Sequence, residues 1–394
     1  MVYDDIVIGA GISGLSYAYF AGLKGRRVLV IEKKDQVGGT CQTFHSAKAP
    51  GFWLELGAHT LYNSYPSVIE LITSLDLADQ VIKREKKPFN VCQHNKIRSI
   101  FNYLNLPRFA LGVLLLFFLN KKDQTVSHFY KKVFGKKNYE RILANCFSAV
   151  LSQDASDFPA EFLFNRKKRD KNFSRSFTLS QGLKLLFDRM LQKKNFQLLL
   201  NESIETVKKN RAWWQVVTTN GIFESRRLII ATGVKEAKHL IKPISKDAFD
   251  LLDPIKYSTV ETFGLICHKK ALIHLKEFAG LIGKDAPFYS VISRDVVNHR
   301  FYRGFVFHFK AGIFQSAEEK ITYICQLFNI TDDEIVDSIS KINRVPILKE
   351  GHKALIQSVE EKLKPSGLLL TGNYFSRLAL EDCARRSFDL LAQK

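Results

Sequence analysis

The sequence predicts an α/β fold built on a dinucleotide-binding βαβ unit, and three stretches predict it. Residues 2–8 form a short apolar strand that runs straight into Gly9-Ala10-Gly11-Ile12-Ser13-Gly14, a Gly-x-Gly-x-x-Gly turn. After an amphipathic segment from Ile12 to about Leu23, a second apolar strand, Arg27-Val28-Leu29-Val30-Ile31, ends in Glu32. Far downstream, Leu368-Leu369-Leu370-Thr371-Gly372 reads as a buried strand ending in glycine, followed by a loop and a last helix from near Leu378.

Each element of the N-terminal unit has a physical task. Gly9 permits the tight turn out of the strand. Gly11 lets the backbone approach a pyrophosphate, and Gly14 lets the helix pack on the strand. The pyrophosphate belongs at the helix N-terminus, beside Ile12 and Ser13, where unpaired N–H groups and the helix dipole favour negative charge. Glu32 stands at the spacing of a carboxylate that binds a ribose hydroxyl, with Lys33 directly after it. The acid favours a free hydroxyl over a 2′-phosphate. The motif alone does not separate NAD from FAD.

Composition sets the outer limits. The 394 residues, 46% apolar and 25% charged, suffice for two domains, one of them discontinuous, and give no sign of extensive disorder. The net charge of +20 favours an anionic partner, whether an acidic membrane surface, an acidic substrate or nucleic acid, or else reflects a solvated basic surface. Nucleic acid fits poorly, because the densest basic run, Arg166-Lys167-Lys168-Arg169-Asp170-Lys171, has no interleaved aromatics and reads as a solvated loop or a disordered tip. The six scattered cysteines contain no Cys-x-x-Cys pair, which argues against a metal site or a disulfide framework and suits a reduced cytoplasmic setting. The first strand begins at once, leaving no room for a leader peptide.

Taken in order, Lys33-Lys34-Asp35-Gln36-Val37 leads to Gly38-Gly39-Thr40, and Gly51-Phe52-Trp53-Leu54-Glu55-Leu56 leads to Gly57-Ala58-His59-Thr60. These stretches resemble the paired glycine and the "E-x-G-x-x" segment of two-dinucleotide-domain flavoproteins of the amine oxidase type. The resemblance implies FAD, with Gly57, Ala58, His59 and Thr60 passing near its ring. His59 then either faces flavin or substrate, as one candidate for a direct role, or is a hydrogen-bonded residue at a strand end.

Further on, residues 66–77 carry helical spacing behind Pro66, and residues 89–92 and 96–98 read as a hairpin. Residues 109–119, Phe-Ala-Leu-Gly-Val-Leu-Leu-Leu-Phe-Phe-Leu, are the most apolar run, well short of the ~20 residues that span a bilayer. Basic residues flank it, so it is either a buried helix lining an apolar pocket or a helix lying on an anionic membrane surface. Residues 134–158 read as helix, Ser/Asp-rich turn, helix. They resemble a helical segment of the protoporphyrinogen oxidase and phytoene desaturase branch, with Cys146 where proline is common and Ala149 where glycine is common. A helix is expected over Leu183–Leu191.

Strands are expected at 196–200, 202–207, 213–218 and 227–230, with Asn220-Gly221 marking a hairpin. By resemblance, the strand from Ile204 lies over the adenine, and Ala231-Thr232-Gly233 closes that half of the site. Alternating strands at 260–267, 288–292 and 300–309 imply an antiparallel sheet with one buried face. In this superfamily such a sheet roofs the flavin. Arg300, Arg303 and His308 either meet an acidic substrate there or are charges that keep a sheet edge soluble. Residues 318–328 and 332–342 read as amphipathic helices.

At the C-terminus, Gly372, Asn373, Leu378-Ala379-Leu380 and Asp382-Cys383 resemble protoporphyrinogen oxidases most specifically. The resemblance implies that the last helix offers its N-terminal N–H groups to the flavin edge. Arg377 replaces the family's glycine, puts a cation beside flavin or substrate, and is the second candidate for a direct role.

The implied organisation is an FAD domain from residues 1–85, 190–245 and 362–394, a helical insertion at 86–189 facing membrane or substrate pocket, and a sheet-based substrate domain at 246–361. The expected function is an FAD-dependent oxidoreductase of the protoporphyrinogen oxidase type. Hydride passes from an apolar, acidic small molecule to flavin N5, with oxygen or a quinone as final acceptor, in the cytoplasm or at the inner face of a membrane. The alternatives are an amine oxidase (no lysine is assignable to the flavin-facing position that such enzymes use), an isoprenoid desaturase, a UDP-galactopyranose mutase-like isomerase, or an FAD-stabilised scaffold without activity.

Overall fold

In the computed structural model, which describes residues 2–164 and 167–393, both glycine-bearing ends of the chain meet in one sheet. The strands run in the order Gln197–Leu199, Val28–Ile31, Val2–Ile8, Ile222–Ile230, Trp213–Thr218, Ile204–Asn210, and Leu368–Leu370 also pairs with Ile222–Ile230. Pairing is parallel from Gln197–Leu199 through Ile222–Ile230 and on to Leu368–Leu370, and antiparallel along the Asn220-Gly221 meander. All of Val28–Ile31 is buried, as expected of a parallel strand covered on both faces. On one face lie the helices Ile12–Leu23 and Leu380–Ala392, tied by Ser387 Oγ donating to Ser13 O at 2.7 Å. On the other lie Val234–Ile241, Lys246–Leu252 and His352–Leu363.

A second seven-stranded sheet has the order Ile335–Pro346, Tyr257–His268, Tyr302–Lys310, Phe288–Ser293, Gly280–Gly283, Phe89–Gln93, Lys96–Ser99. It is antiparallel except where Gly280–Gly283 pairs with Phe89–Gln93. The predicted hairpin at 89–98 is therefore the far edge of this sheet. The sheet rests on the segment Phe52–Leu56: a Cβ on Gly304 would meet Leu54 and Phe52 at 2.6 Å, and one on Gly264 would meet Leu54 at 3.1 Å.

Several expectations are corrected. Residues 332–342 are not a helix. A single turn, Asp332–Glu334, precedes the long strand Ile335–Pro346. Its inward positions alternate as Asp337, Ile339, Lys341 and Asn343, so the period of two is written largely in polar residues and does not read as a hydrophobic alternation. No second helix follows Ser152, where the helix Ala144–Leu151 ends in a left-handed residue. The chain is irregular up to the short turn Ala160–Phe162.

The apolar run forms the helix Leu106–Leu115, but only Gly112 of it is buried, so it is not a buried helix. Its packing side, through Gly112 and Phe109, meets Phe134, Leu115 is half-buried beside them, and Leu106, Leu111, Val113 and Leu114 stay exposed. The basic run is not simply solvated. Arg166 lies outside the described residues, but Lys167 pairs with Asp382 at 3.2 Å and lies over the Tyr65 ring, and Asp170 N donates to Asn63 O.

Arg303 neither meets substrate nor keeps an edge soluble. It is buried, forks onto Asp295 at 2.8 and 2.7 Å, and donates to the carbonyls of Leu272 and Leu275. Arg300 is exposed, over the Phe301 ring. Among the described residues no helix is long and apolar enough to cross a membrane.

Candidate functional site

A cleft of about 970 Å³ opens along the carboxyl ends of the parallel strands. Gly9, Gly11, Ile12 and Ser13 form one wall, with Glu32 and Lys33 at the end of the second strand. Gly38, Gly39 and Thr40 close one side, and Ile204, Ala231, Thr232 and Gly233 the other. Gly372, Asn373 and Cys383 complete it from the chain's far end.

Two features of this cleft suit a dinucleotide. A Cβ on Gly11 would come no nearer to other protein atoms than 4.0 Å, to Gly39 Cα, so protein packing does not require glycine there. The side it leaves open borders the cleft. The helix at Ile12 also begins without a side-chain cap, as does the last helix behind Ala379, so first-turn N–H groups at both starts are left without a capping side chain. Glu32 is held in place by N–H groups of Ala10 (2.8 Å) and Lys34 (3.1 Å). Lys33 pairs with Glu236 at 2.8 Å.

Other expected residues sit differently. Gly14 lies beneath the turn, where a Cβ would fall 1.9 Å from Gly9 O. At Gly57 a Cβ would fall 2.0 Å from Thr40 O, so that glycine serves the approach of two protein segments. Gly57, Ala58, His59, Thr60, Leu378, Ala379 and Leu380 do not line the large cleft. Arg377 does not line it either, and its guanidinium lies over the Phe162 ring at 4.7 Å. Its backbone, at φ +115°, holds a conformation normally reserved for glycine. Glu381 turns back to accept from Ser67 N (3.0 Å) and Ser67 Oγ (3.1 Å), fixing the last helix to the start of the helix Pro66–Ser74.

The second sheet brings a polar network over Leu56. Asn343 Nδ2 donates to Leu56 O and Thr262 Oγ1, both at 2.8 Å, and Thr262 Oγ1 lies 3.1 Å from His308 Nδ1. His308 is buried, which pushes it down to about 4. His59 is pushed down to about 3, first by burial and then by Arg84 and His308. Both imidazoles are therefore neutral at neutral pH, able to donate or accept one hydrogen bond at each nitrogen but not to supply positive charge.

Lys341 faces the same way as Asn343, and its buried Nζ has no hydrogen-bond partner among the described residues. Burial lowers it to about 8, against a small opposing effect of Cys41. A smaller cavity holds His59 together with Arg84, Thr178 and Arg294. Neither Lys341, Asn343, Arg84 nor Arg294 stands out in the sequence, because each lies in a segment without a motif.

Comparison with known proteins decides the family. The model of the flavin-containing amine oxidoreductases matches residues 12–304, more than half of the chain. The chain belongs to this family. The family is one of flavin-containing oxidoreductases. The chain is similar to the UDP-galactopyranose mutase of Mycoplasma genitalium, with 32% identity over 71 residues, 18% of each chain. It is also similar to the coproporphyrinogen III oxidase of Propionibacterium freudenreichii, with 38% identity over 77 residues, 20% of this chain and 14% of that one. These matches span under a quarter of the relatives' length. Among solved structures, the protoporphyrinogen oxidase-like protein of Exiguobacterium sp. 255-15 superposes with a TM-score of 0.79 at 16% identity, covering 100% of this chain and 98% of that one. At that identity the likeness carries the fold alone. FAD as the family's cofactor agrees with the open side of Gly11, the uncapped helix starts and the ordered Glu32 carboxylate.

Proposed function

We propose that the protein dehydrogenates an apolar, anionic small molecule in the manner of the protoporphyrinogen oxidase-like flavoenzymes, with oxygen or a quinone as final electron acceptor. The observation that carries this reading is that one cleft joins the Gly9–Gly14 turn to Gly372 and Cys383, so the segment resembling protoporphyrinogen oxidases borders the dinucleotide grip. FAD, when bound, supplies the hydride acceptor. Ile12 and Ser13 N–H groups would hold its pyrophosphate and Glu32 its ribose, with Gly372, Asn373 and Cys383 bounding the cleft at the chain's far end. Thr262, His308 and Asn343 order the roof beside His59, which remains the candidate for direct contact with substrate.

The test is anaerobic mixing of the FAD-loaded protein with coproporphyrinogen, protoporphyrinogen, an aliphatic amine and a UDP-sugar. Bleaching of the flavin band by a porphyrinogen is the expected result, and bleaching by the amine alone overturns the reading. The match to the mutase supports a second reading, an isomerase. It predicts turnover of the UDP-sugar only after the flavin has been reduced beforehand.

The helical insertion supports peripheral contact with an anionic lipid surface. Leu106, Leu111, Leu114, Phe117 and Phe118 are 51%, 50%, 61%, 63% and 84% exposed, and Lys122, Lys132, Lys136 and Lys137 are exposed nearby in the chain. Sedimentation with phosphatidylglycerol vesicles should carry the protein down, while neutral phosphatidylcholine vesicles should not. A Phe117→Ser/Phe118→Ser variant that still sediments would exclude this face.

A further inference from the structure

The small cavity beside His59 collects donors that the protein does not satisfy. Thr178 is 1% exposed, and its Oγ1 has no hydrogen-bond partner among the described residues. Arg294 Nε is buried and likewise without one, while its Nη1 donates to Val297 O and its guanidinium lies 3.9 Å from the Trp53 ring centroid. Arg84 is buried on the same cavity wall, and its Nη1 donates to His59 O (2.5 Å) and to Thr60 Oγ1.

Charge on this wall is unbalanced as well. Glu55 is the carboxylate that acts on both guanidiniums, and its oxygens already accept from Leu183 N (2.6 Å) and Thr43 Oγ1 (2.9 Å). Burial raises Glu55 to about 7, so near neutral pH it is only partly ionised. Burial also lowers Arg84 and Arg294 to about 10 each, which leaves both charged at neutral pH. Two buried guanidiniums thus face at most one carboxylate charge. The cavity, about 30 Å³, has room for a single small group.

We propose that Arg84, Arg294 and Thr178 form a subsite for one carboxylate group of the substrate, next to His59. A carboxylate accepts from guanidinium and hydroxyl donors at once, whereas a neutral group of the same size leaves the charge unbalanced. Because Arg84 also carries the His59 carbonyl and the Thr60 hydroxyl, an occupied subsite fixes the His59 segment. The idea deepens the dehydrogenase reading, on which it rests, by naming the anionic group and its place.

Binding alone tests it. The FAD-loaded protein is titrated with benzoate and with its neutral counterpart benzamide at constant ionic strength, followed by the flavin spectrum and by the fluorescence of Trp53, which lies under Arg294. Benzoate should bind at least tenfold more tightly than benzamide. Arg294→Met should remove that preference while leaving benzamide binding in place, and Arg294→Lys should keep part of it. Retained flavin and an unchanged Tm show that a variant has folded, and Thr178→Val provides a second variant, expected to weaken benzoate alone.

Equal binding of the two probes, or an unchanged preference in both Arg294→Met and Thr178→Val, overturns the proposal. So does chloride that competes as strongly as benzoate, since that marks a plain counter-ion site. Benzoate selectivity in a protein that no porphyrinogen reduces would sustain the subsite and sink the dehydrogenase reading instead.

Discussion

Arg303, in the strand Tyr302–Lys310, and Arg294, in the turn shortly before it, lead opposite lives. Arg303 is well satisfied, with two bonds to Asp295 and two to backbone carbonyls, all at 2.7–2.9 Å. Arg294 lies on an aromatic ring with Nε unpaired and faces a cavity. The nucleotide half repeats the contrast in glycines. Gly14 is filled against Gly9, whereas Gly11 is left open. A position the protein closes belongs to its stability, and one it leaves open belongs to a ligand.

The largest expected effect breaks or upholds that contrast at the glycines. In Gly14→Val the new side chain meets Gly9 O, a backbone atom that cannot yield, and the variant should fail to accumulate as soluble protein. Gly11→Val should fold with a Tm close to that of the FAD-free parent and carry no FAD, because its side chain enters the pyrophosphate path. Full flavin content in purified Gly11→Val would remove the turn from the site.

Next come the arginines. Arg303→Met strands a buried Asp295 and should cost about 3–5 kcal/mol in urea unfolding. Arg294→Met strands no acid and should stay within about 1 kcal/mol of the parent, the range of a lost cation–π contact. Equal losses in the two variants would make Arg294 a structural residue and erase the difference.

The same division explains what the sequence made legible. The βαβ unit and the C-terminal return were readable because their glycines and apolar strands repeat a pattern that the pyrophosphate and the sheet both require. The helix at Ile12 and the strands at 213–218 and 288–293 follow from apolar spacing. The strand Ile335–Pro346 is not legible in the sequence because its inward face carries Asp337, Lys341 and Asn343, polar residues turned toward Ser46, Cys41 and Leu56. Arg303 reads as a free charge in the sequence because nothing local marks its partner Asp295, which is brought to it by the turn Arg294–Val296. Arg84 and Thr178 lie far apart in the chain and share a cavity only after folding.

Arg377 offers the smallest and most discriminating test, because it is a position of strain rather than of packing. Its φ of +115° and ψ of 174° lie in a region that is essentially restricted to glycine and costs a side-chain-bearing residue ~1–3 kcal/mol. The stack on Phe162 returns ~0.5–1 kcal/mol. Glycine at 377 gives up that stack and pays somewhat more chain entropy on folding, so Arg377→Gly should gain about 1 kcal/mol at most, a rise in Tm of ~2 °C. Arg377→Ala keeps the strain and loses the stack, so it should fall below the parent. The order Gly above Arg above Ala in thermal melts assigns the strain to the backbone just ahead of the last helix. If alanine melts as high as glycine, the backbone there is not strained, and Arg377 is held only by its contact with the helical insertion.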